Sequence, residues 1–181
     1  MNIRFCGFGG QGILVAGRIL GEAATAAGRN AMQTESYGSA SRGGTSNSDV
    51  IISDGEIYEL EPQEFDILVA LSQQACDKFL ATLQPDGILL TDSDLVKFDK
   101  PLPEGIKHYS LGATELAHHK FGRDILANII MIGLLNSIAK IMPDDILETA
   151  ITSVVPPGTE KVNIEAYRLG KGITGLNYTN Y

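Results

Sequence analysis

The sequence predicts an α/β fold, in which a mostly parallel, open sheet lies between helices on both faces and includes one antiparallel hairpin. Three observations predict this fold. A glycine-rich turn joins a strand-like run to a helix-like run near the N-terminus, apolar strand-like runs alternate with helical ones, and an Asp-Gly pair separates two apolar runs. The chain of 181 residues is long enough for one domain with a substantial core. We expect a single domain over residues 1–175, followed by a flexible tail over residues 176–181.

The glycine-rich turn is the segment Gly7-Phe8-Gly9-Gly10-Gln11-Gly12, which follows a predicted strand at 3–7 and opens a predicted helix at 12–27. Its spacing is the G-x-G-x-x-G of Rossmann-like dinucleotide-binding folds. Such a turn directs unpaired backbone N–H groups and the positive end of the helix dipole at one point, which favours a bound phosphate. The same glycines can instead serve only the turn and the packing of the helix on the strand. The sequence leaves both interpretations open.

A second small-residue segment, at 36–46, is polar and rich in glycine, and it contains the cation Arg42. A guanidinium beside free backbone N–H groups makes an anion-binding site. A solvated arginine in a mobile or partner-covered loop is the alternative that the sequence leaves open. The candidate anion-binding residues of the two segments are Gly7, Gly9, Gly10, Gln11, Gly12, Arg42, Gly43, Gly44 and Thr45.

Between the two segments, a weak strand at 30–35 ends in Glu35. A Rossmann dehydrogenase would hold the ribose hydroxyls with an acid near this point, and Glu35 is available although it comes slightly late. Further along, Asp54-Gly55 lies between runs at 48–53 and 56–60 and predicts a β-hairpin. A hairpin here interrupts the β-α-β-α rhythm of a plain dinucleotide-binding fold.

The remaining elements continue the α/β alternation. The continuous apolar run at 65–71 predicts a central strand that is buried on both faces. A long helix at 123–141 is apolar on nearly all sides, so we expect part of it to face another subunit. The other predicted elements are a helix at 75–83 that Pro85-Asp86-Gly87 ends, strands at 88–91 and 106–110, and helices at 111–119, 143–151 and 159–169.

Composition and charge argue against several functional classes. Acidic residues outnumber basic ones by 22 to 14, and a net charge of −8 argues against a nucleic-acid-binding surface. The longest apolar run, at 125–135, contains Asn128 and is too short to span a bilayer. No secretory signal pattern opens the chain, so we expect a cytoplasmic location.

The sequence predicts no catalytic residue and no metal site. Cys6 and Cys76 belong to no C-x-x-C pair, so this chain alone should hold neither zinc nor an iron–sulfur cluster. Asp92-Ser93-Asp94 follows a predicted strand and indicates a helix cap or turn rather than a metal site. Neighbouring helical residues such as His118 and His119 diverge by about 100° and cannot readily share one metal.

The combination of motifs is more specific than any one of them. The motifs are GFGGQG at 7–12, ESYGSASRGGTS at 35–46, LSQQA at 71–75, DS at 92–93, NIIMIG at 128–133 and NIEAYRLG at 163–170. From Met1 to about Gly172 the chain resembles the gamma subunit of a 2-oxoacid:ferredoxin oxidoreductase. That family includes the pyruvate, 2-oxoglutarate and ketoisovalerate ferredoxin oxidoreductases.

The resemblance implies a non-catalytic role inside a larger enzyme. Such complexes oxidatively decarboxylate a 2-oxoacid to an acyl-CoA and pass electrons through iron–sulfur clusters to ferredoxin, with thiamine diphosphate supplying the carbanion chemistry. The resemblance assigns thiamine diphosphate, Mg²⁺ and the clusters to alpha, beta and delta-type partner subunits and none of them to this chain. In single-chain relatives the corresponding domain is associated with coenzyme A, so the glycine turn and Arg42 become candidate contacts for its phosphates.

Two other functions stay open from the residues alone. A stand-alone NAD(P)-dependent dehydrogenase fits the glycine turn and Glu35, but the chain lacks a plausible catalytic histidine–acid pair. A free-standing dimeric nucleotide-binding module fits the long apolar helix. The isolated gamma subunit is also expected to form a homodimer through its exposed partner surface.

Overall fold

The computed structural model describes residues 1–37, 44–173 and, as backbone, 177–180. Most strands lie in the first two thirds of this length, and four of the helices follow one another after them. The strands are β1 (Asn2–Phe8), β2 (Asn30–Tyr37), β3 (Thr45–Ser53), β4 (Phe65–Ala70), β5 (Leu83–Asp92), β6 (Lys107–Leu111) and β7 (Asn177–Asn180). The helices are α1 (Ile13–Ala26), α2 (Gln73–Phe79), α3 (Ala113–Phe121), α4 (Ala127–Ala139), α5 (Asp144–Val154) and α6 (Glu160–Lys171). Short 3₁₀ turns, Leu80–Thr82 and Asp124–Leu126, precede β5 and α4.

One sheet contains all the described strands, in the order β2-β3-β1-β4-β5-β6-β7. The strands β1, β4, β5 and β6 are parallel to one another. In contrast, β3 is antiparallel to both β1 and β2, and β7 is antiparallel to β6. The predicted fold class is confirmed: an open α/β sheet with a parallel centre and an antiparallel hairpin.

The hairpin lies elsewhere than the sequence predicted. It joins β2 to β3, and residues 56–60 form no strand. The prediction of a hairpin at Asp54-Gly55 is wrong because β3 already pairs with β2 on one edge and with β1 on the other, which leaves no edge for a following strand. Arg29 Nε instead donates to Asp54 Oδ1 at 2.6 Å and ties the end of β3 to the start of β2.

Two hydrophobic cores cover the two faces of the sheet. The larger core packs α1, α3, α4, α5 and α6 onto strand residues such as Ile3, Val50 and Ile67. The smaller core packs α2 and the connection between β5 and β6 onto Cys6 and Leu68. Ile67 and Leu68 belong to different cores because successive side chains of a strand point to opposite faces. The strand β4 is therefore buried on both sides, as its continuous apolar run predicted.

Helix α4 is buried on all sides by this chain itself. Its residues from 127 to 136 are buried, and α6 packs directly against it. Two glycines permit the approach: a Cβ on Gly133 would lie 2.1 Å from the Tyr167 carbonyl oxygen, and a Cβ on Gly170 would lie 1.9 Å from an α4 carbonyl oxygen. Part of the helix at 123–141 was expected to face another subunit, but its residues from 127 to 136 are covered by this chain, with α6 against them. Ile125, in the 3₁₀ turn before α4, is 52% exposed.

Two further segments differ from the sequence predictions. The helix expected at 75–83 ends at Phe79, and Pro85-Asp86-Gly87 lies within β5, where the register against β4 shifts. Where a flexible tail was expected after residue 175, residues 177–180 pair with β6 as strand β7. An unpaired β6 would otherwise expose a row of backbone hydrogen-bonding groups, which β7 satisfies.

Candidate functional site

The glycine turn lies at the point where the connections of the sheet change direction. Strands β1 and β4 are parallel neighbours, but α1 leaves the end of β1 on one face of the sheet and α2 leaves the end of β4 on the other. Open α/β sheets bind ligands in the crevice that forms at the carboxyl ends of such strands. The turn, residues 9–12, lies at this edge of the sheet, where Gln11 donates to the Leu71 carbonyl oxygen directly after β4.

The turn leaves its outer glycines accessible. Gly10 and Gly12 have φ values of +94° and +71°, in the left-handed region that favours glycine. Added Cβ atoms on Gly9 and Gly10 would meet nothing within 4 Å, so both backbones face open space. Gly12 is the N-cap of α1; no side chain caps this helix end and no acidic residue lies in its first turn. The first N–H groups of α1, together with the helix dipole, can therefore receive an anion.

Gln11 and Gly7 have structural roles inside the turn. Gln11 Oε1 accepts a hydrogen bond from the Phe8 backbone N–H at 2.6 Å, and its Nε2 donates to the Leu71 carbonyl oxygen at 2.6 Å. These two bonds join the end of β1 to the end of β4. A Cβ on Gly7 would lie 2.4 Å from Gln11 Oε1, so glycine at this position makes room for the bridge. The Gln11 side chain closes the turn rather than projecting from it.

Asn128 is a residue of the site that the motif did not predict. Its side-chain Nδ2 donates to the Gly12 carbonyl oxygen at 3.0 Å, and a Cβ on Gly12 would lie 2.1 Å from the same nitrogen. Asn128 is 4% exposed at the start of α4. A polar residue inside a long apolar run was the signal that could have marked it, although its partner lies 116 positions away in the sequence.

The end of the second segment lies beside the glycine turn. Thr45 is the Cα partner of Phe8 in the β1–β3 ladder, so Gly44 and Thr45 adjoin the residue that opens the turn. The structure therefore brings these two predicted residues to the turn. Arg42 and Gly43 lie outside the described residues.

Lys78 is a second residue that sequence reasoning missed. Its Nζ donates to Thr45 Oγ1 at 3.2 Å and lies 4.7 Å from the centre of the Phe79 ring. Within the described part of the chain, Lys78 has no carboxylate partner. No sequence pattern links a lysine of α2 to the start of β3, because the sheet order alone brings them together. Lys78 supplies a positive charge next to the second segment.

A cavity of about 360 Å³ lies on the same face of the sheet as Lys78. Its floor is a buried ion pair in which Arg4 donates to both carboxylate oxygens of Asp49, at 2.7 and 2.6 Å. The Arg4 guanidinium also stacks on the Phe65 and Phe79 rings, at 3.9 and 4.6 Å from their centres. Because these partners occupy the guanidinium, Arg4 stabilises the fold here. Lys78, which also lines the cavity, is the cation that a ligand can use.

Glu35 is placed unfavourably for a dehydrogenase. In a Rossmann fold the acid that binds ribose follows a strand adjacent to β1. Here β3 separates β2 from β1, which moves Glu35 away by a further strand spacing of about 4.8 Å. Its carboxylate oxygens accept from Gln33 Nε2 and Tyr37 Oη, at 3.2 and 3.4 Å.

Two aspartates, Asp92 at the last position of β5 and Asp94 two residues later, cap a helix. Asp92 accepts from the backbone N–H groups of Ala113 and Thr114, at 3.2 and 3.0 Å, and from the Thr114 hydroxyl at 2.5 Å. Asp94 accepts from the Glu115 backbone N–H at 2.7 Å. Burial raises the pKa of Asp92 although these hydrogen bonds favour its charged form. The prediction of a cap or turn at this position is confirmed, with α3 as the helix that is capped.

The two cysteines are unsuited to holding a metal. Cys6 and Cys76 are fully buried in the smaller core. Burial raises the pKa of the Cys6 thiol well above its ordinary range and raises that of Cys76 to about 12. A thiolate is the form that binds metal, and burial disfavours it here. No group of histidine, cysteine and acidic side chains in residues 1–37 and 44–173 has the arrangement of a metal site.

None of the helices in the described ranges combines the length and the apolar character that crossing a membrane requires.

The family model for pyruvate ferredoxin/flavodoxin oxidoreductase matches residues 2–173. The 2-oxoglutarate synthase subunit KorC of Methanocaldococcus jannaschii is 43% identical over 170 residues, covering 93% of this chain and 91% of that protein. The ketoisovalerate oxidoreductase subunit VorA of Methanothermobacter marburgensis is 35% identical over 136 residues, which are 75% of this chain but 28% of that longer protein.

A solved structure matches this chain in fold and in length. The gamma subunit of a keto/oxoacid ferredoxin oxidoreductase from Geobacter sulfurreducens superposes with a TM-score of 0.81 at 40% identity, covering 93% of this chain and 95% of that one. The stand-alone dehydrogenase finds no support among these proteins, in agreement with the position of Glu35. The chain belongs to the pyruvate ferredoxin/flavodoxin oxidoreductase family and is a gamma subunit of a 2-oxoacid:ferredoxin oxidoreductase.

Proposed function

We propose that this gamma subunit works in the cytoplasm with alpha, beta and delta-type subunits and contributes part of the coenzyme A site of their complex. The complex oxidises a 2-oxoacid with coenzyme A to an acyl-CoA and CO₂ and reduces ferredoxin. The similarity to KorC over almost the full length of both chains favours 2-oxoglutarate as the 2-oxoacid. Alone, the gamma subunit is inactive.

The partner subunits hold the redox and decarboxylation chemistry in this proposal. Iron–sulfur clusters need several cysteine thiolates, and Cys6 and Cys76 are buried thiols with raised pKa values. Thiamine diphosphate, when bound in the complex with Mg²⁺, supplies the carbanion chemistry of the decarboxylation. The residues of this chain bind and position the co-substrate.

The observation that carries the coenzyme A proposal is the accessible glycine turn at the carboxyl ends of β1 and β4. Coenzyme A has several phosphate charges, and Gly9, Gly10 and the start of α1 offer backbone N–H groups at an uncapped helix end. Lys78 provides a positive charge at the start of β3, where its Nζ donates to Thr45 Oγ1. Arg42, in the segment between β2 and β3, provides a second cation that can bind a phosphate with two hydrogen bonds.

Calorimetric titration of the assembled complex with coenzyme A tests this proposal. We expect Arg42→Ala and Lys78→Ala each to weaken binding by about tenfold, because each removes a charge-assisted contact to a phosphate. Lys120→Ala is the matched control, since Lys120 is an exposed cation in the last turn of α3, away from the carboxyl edge where α3 begins. Unchanged affinity in both Arg42→Ala and Lys78→Ala would remove these cations from the coenzyme A site.

A further inference from the structure

Strand β2 is an edge strand of the sheet formed by the described residues. It pairs with β3 in unbroken register over all eight residues, and no described strand pairs with its other edge. Edge strands usually carry a lysine, a proline or a bulge that prevents pairing with another chain. The sequence of β2, Asn-Ala-Met-Gln-Thr-Glu-Ser-Tyr, contains one charged residue, Glu35, and none of these devices. Within the described residues, the outer edge of β2 therefore has backbone N–H and C=O groups that no strand pairs with.

Helix α1 lies along this edge, and its charged residues Arg18 and Glu22 lie beside β2. Gln33 Nε2 donates to the Leu14 carbonyl oxygen at 3.1 Å, which fixes α1 over β2. A groove of about 330 Å³ runs between helix and strand, and Arg18, Gly21, Glu22, Thr25, Ala31 and Gln33 line it. Arg18 and Glu22 are exposed, and neither has an ion-pair partner in the described ranges.

We infer that a second copy of this chain pairs with the β2 edge about a twofold axis perpendicular to the sheet. Such an axis places β2 antiparallel to its copy and makes the two sheets continuous. Helix α1 runs opposite to β2, so the same axis also places α1 antiparallel to its copy. Arg18 and Glu22 are one helical turn apart, so an axis level with the point midway between them sets Arg18 of each copy opposite Glu22 of the other. The interface thereby contains two symmetric pairs of opposite charges.

The sequence of β2 is compatible with pairing to itself. When the axis passes through Thr34, Gln33 lies opposite Glu35 of the second copy, and Met32 lies opposite its Ser36. Gln33 has an amide donor and Glu35 a carboxylate acceptor, so this register sets complementary groups opposite each other across the axis. No like charges oppose each other in this register. Open space above Gly21 allows the two α1 helices to approach.

Sedimentation of the full-length chain tests the inference, which does not depend on coenzyme A binding. We expect wild type to sediment as a dimer over about 1 to 100 µM. Arg18→Glu and Glu22→Arg each replace two attractions by two repulsions, so each should raise the dimer dissociation constant by about tenfold or more. An equimolar mixture of Arg18→Glu and Glu22→Arg should associate again, because each chain then carries charges complementary to the other.

Lys161→Glu is the control for the change in net charge. Lys161 is exposed on α6, four residues before Glu165, and its reversal changes the net charge by the same amount as Arg18→Glu. This variant should dimerise like wild type, and circular dichroism should show all variants folded. A monomeric wild type, an unaffected Arg18→Glu dimer, or a mixture that stays monomeric would each overturn the inference and leave the β2 edge for a different polypeptide.

Discussion

Gly12 is under two separate constraints, one on its backbone and one on its missing side chain. Its φ of +71° lies in the left-handed region, and a Cβ would lie 2.1 Å from Asn128 Nδ2. Gly10 has the first constraint alone, with a φ of +94° and open space around it. Gly9 has neither. The three glycines therefore form a series in which backbone strain and side-chain overlap can be measured separately.

Alanine substitutions in this series should destabilise the chain to different extents. We expect Gly12→Ala to lower the free energy of unfolding by about 2 kcal/mol or more, Gly10→Ala by about 1 kcal/mol, and Gly9→Ala by almost nothing. Urea unfolding followed by circular dichroism measures all three. Equal losses for Gly9→Ala and Gly12→Ala would contradict the proposed packing of Gly12 against Asn128.

His108 gives the stability a pH dependence below neutrality. Burial lowers its pKa from the ordinary value of 6.5, and its Nε2 lies 2.9 Å from Thr91 Oγ1. The unfolded chain therefore binds a proton at a higher pH than the folded chain does. Stability falls as the pH drops below about 6.5 and continues to fall until the folded-state pKa is reached.

The His108→Gln variant should lose this part of the pH dependence. We expect its free energy of unfolding to decrease less than that of wild type between about pH 7 and about pH 5.5. His118→Gln is the control, because the His118 side chain is 67% exposed. Urea midpoints across this range measure the difference, and identical slopes for His108→Gln and wild type would exclude His108 as the cause.

Among single residues, the sequence revealed those whose role is local. The spacing of Gly7 to Gly12 marked the turn because the turn is formed by consecutive residues. Asn128 and Lys78 were missed because their partners, Gly12 and Thr45, are distant in sequence and meet only in the folded sheet. The bridging role of Gln11 also depends on Leu71, which another strand supplies.

Between elements, α4 and α6 pack with their backbones in close contact. Gly133 and Gly170 bring the helices so close that a Cβ on either would lie 2.1 Å or less from a backbone oxygen of the other helix. Backbone cannot move aside as a flexible side chain can. An alanine at either position forces the helices apart and opens the packing of the larger core.

We expect Gly133→Ala and Gly170→Ala each to lower the free energy of unfolding by about 3 kcal/mol, in spite of the better helix propensity of alanine. Gly172→Ala is the control, since Gly172 ends α6 in a right-handed helical conformation, and the nearest atoms to its Cβ would be carbonyl oxygens of α6 itself, at 3.3 and 3.7 Å. Thermal unfolding by calorimetry ranks the three variants. Losses of similar size in all three would show that α4 and α6 are less closely packed.

At the level of elements, the sequence predicted whether a segment is a helix or a strand better than it predicted which elements lie next to each other. The strand β4 was predicted from a continuous apolar run, helix α1 from apolar residues at helical spacing, and helices α5 and α6 from local signals, all of which depend on each element alone. The hairpin was misplaced because Asp54-Gly55 is a local turn signal, whereas strand pairing depends on which edges are free. Part of the helix at 123–141 was expected to face another subunit because the close contact of Gly133 with α6 has no periodic signature.

For the whole molecule, the topology determines where a ligand can bind. The order β2-β3-β1-β4 places the glycine turn between two strands whose helices leave to opposite faces. The same order inserts β3 between β1 and Glu35, which weakens the case for a bound dinucleotide. The G-x-G-x-x-G spacing alone does not distinguish a dinucleotide-binding dehydrogenase from a gamma subunit of a 2-oxoacid oxidoreductase. The set of motifs along the chain resembled the correct family.

The most direct test of this account is the anaerobic purification of the tagged chain from its native host, followed by an assay of viologen reduction with 2-oxoglutarate. We predict that larger subunits purify with it and that the preparation reduces viologen only when coenzyme A is present. The isolated chain should show no activity. A chain that purifies alone and binds NADH would contradict the account. The glycine turn would then bind a dinucleotide, and the chain would not act as a subunit of a 2-oxoacid oxidoreductase.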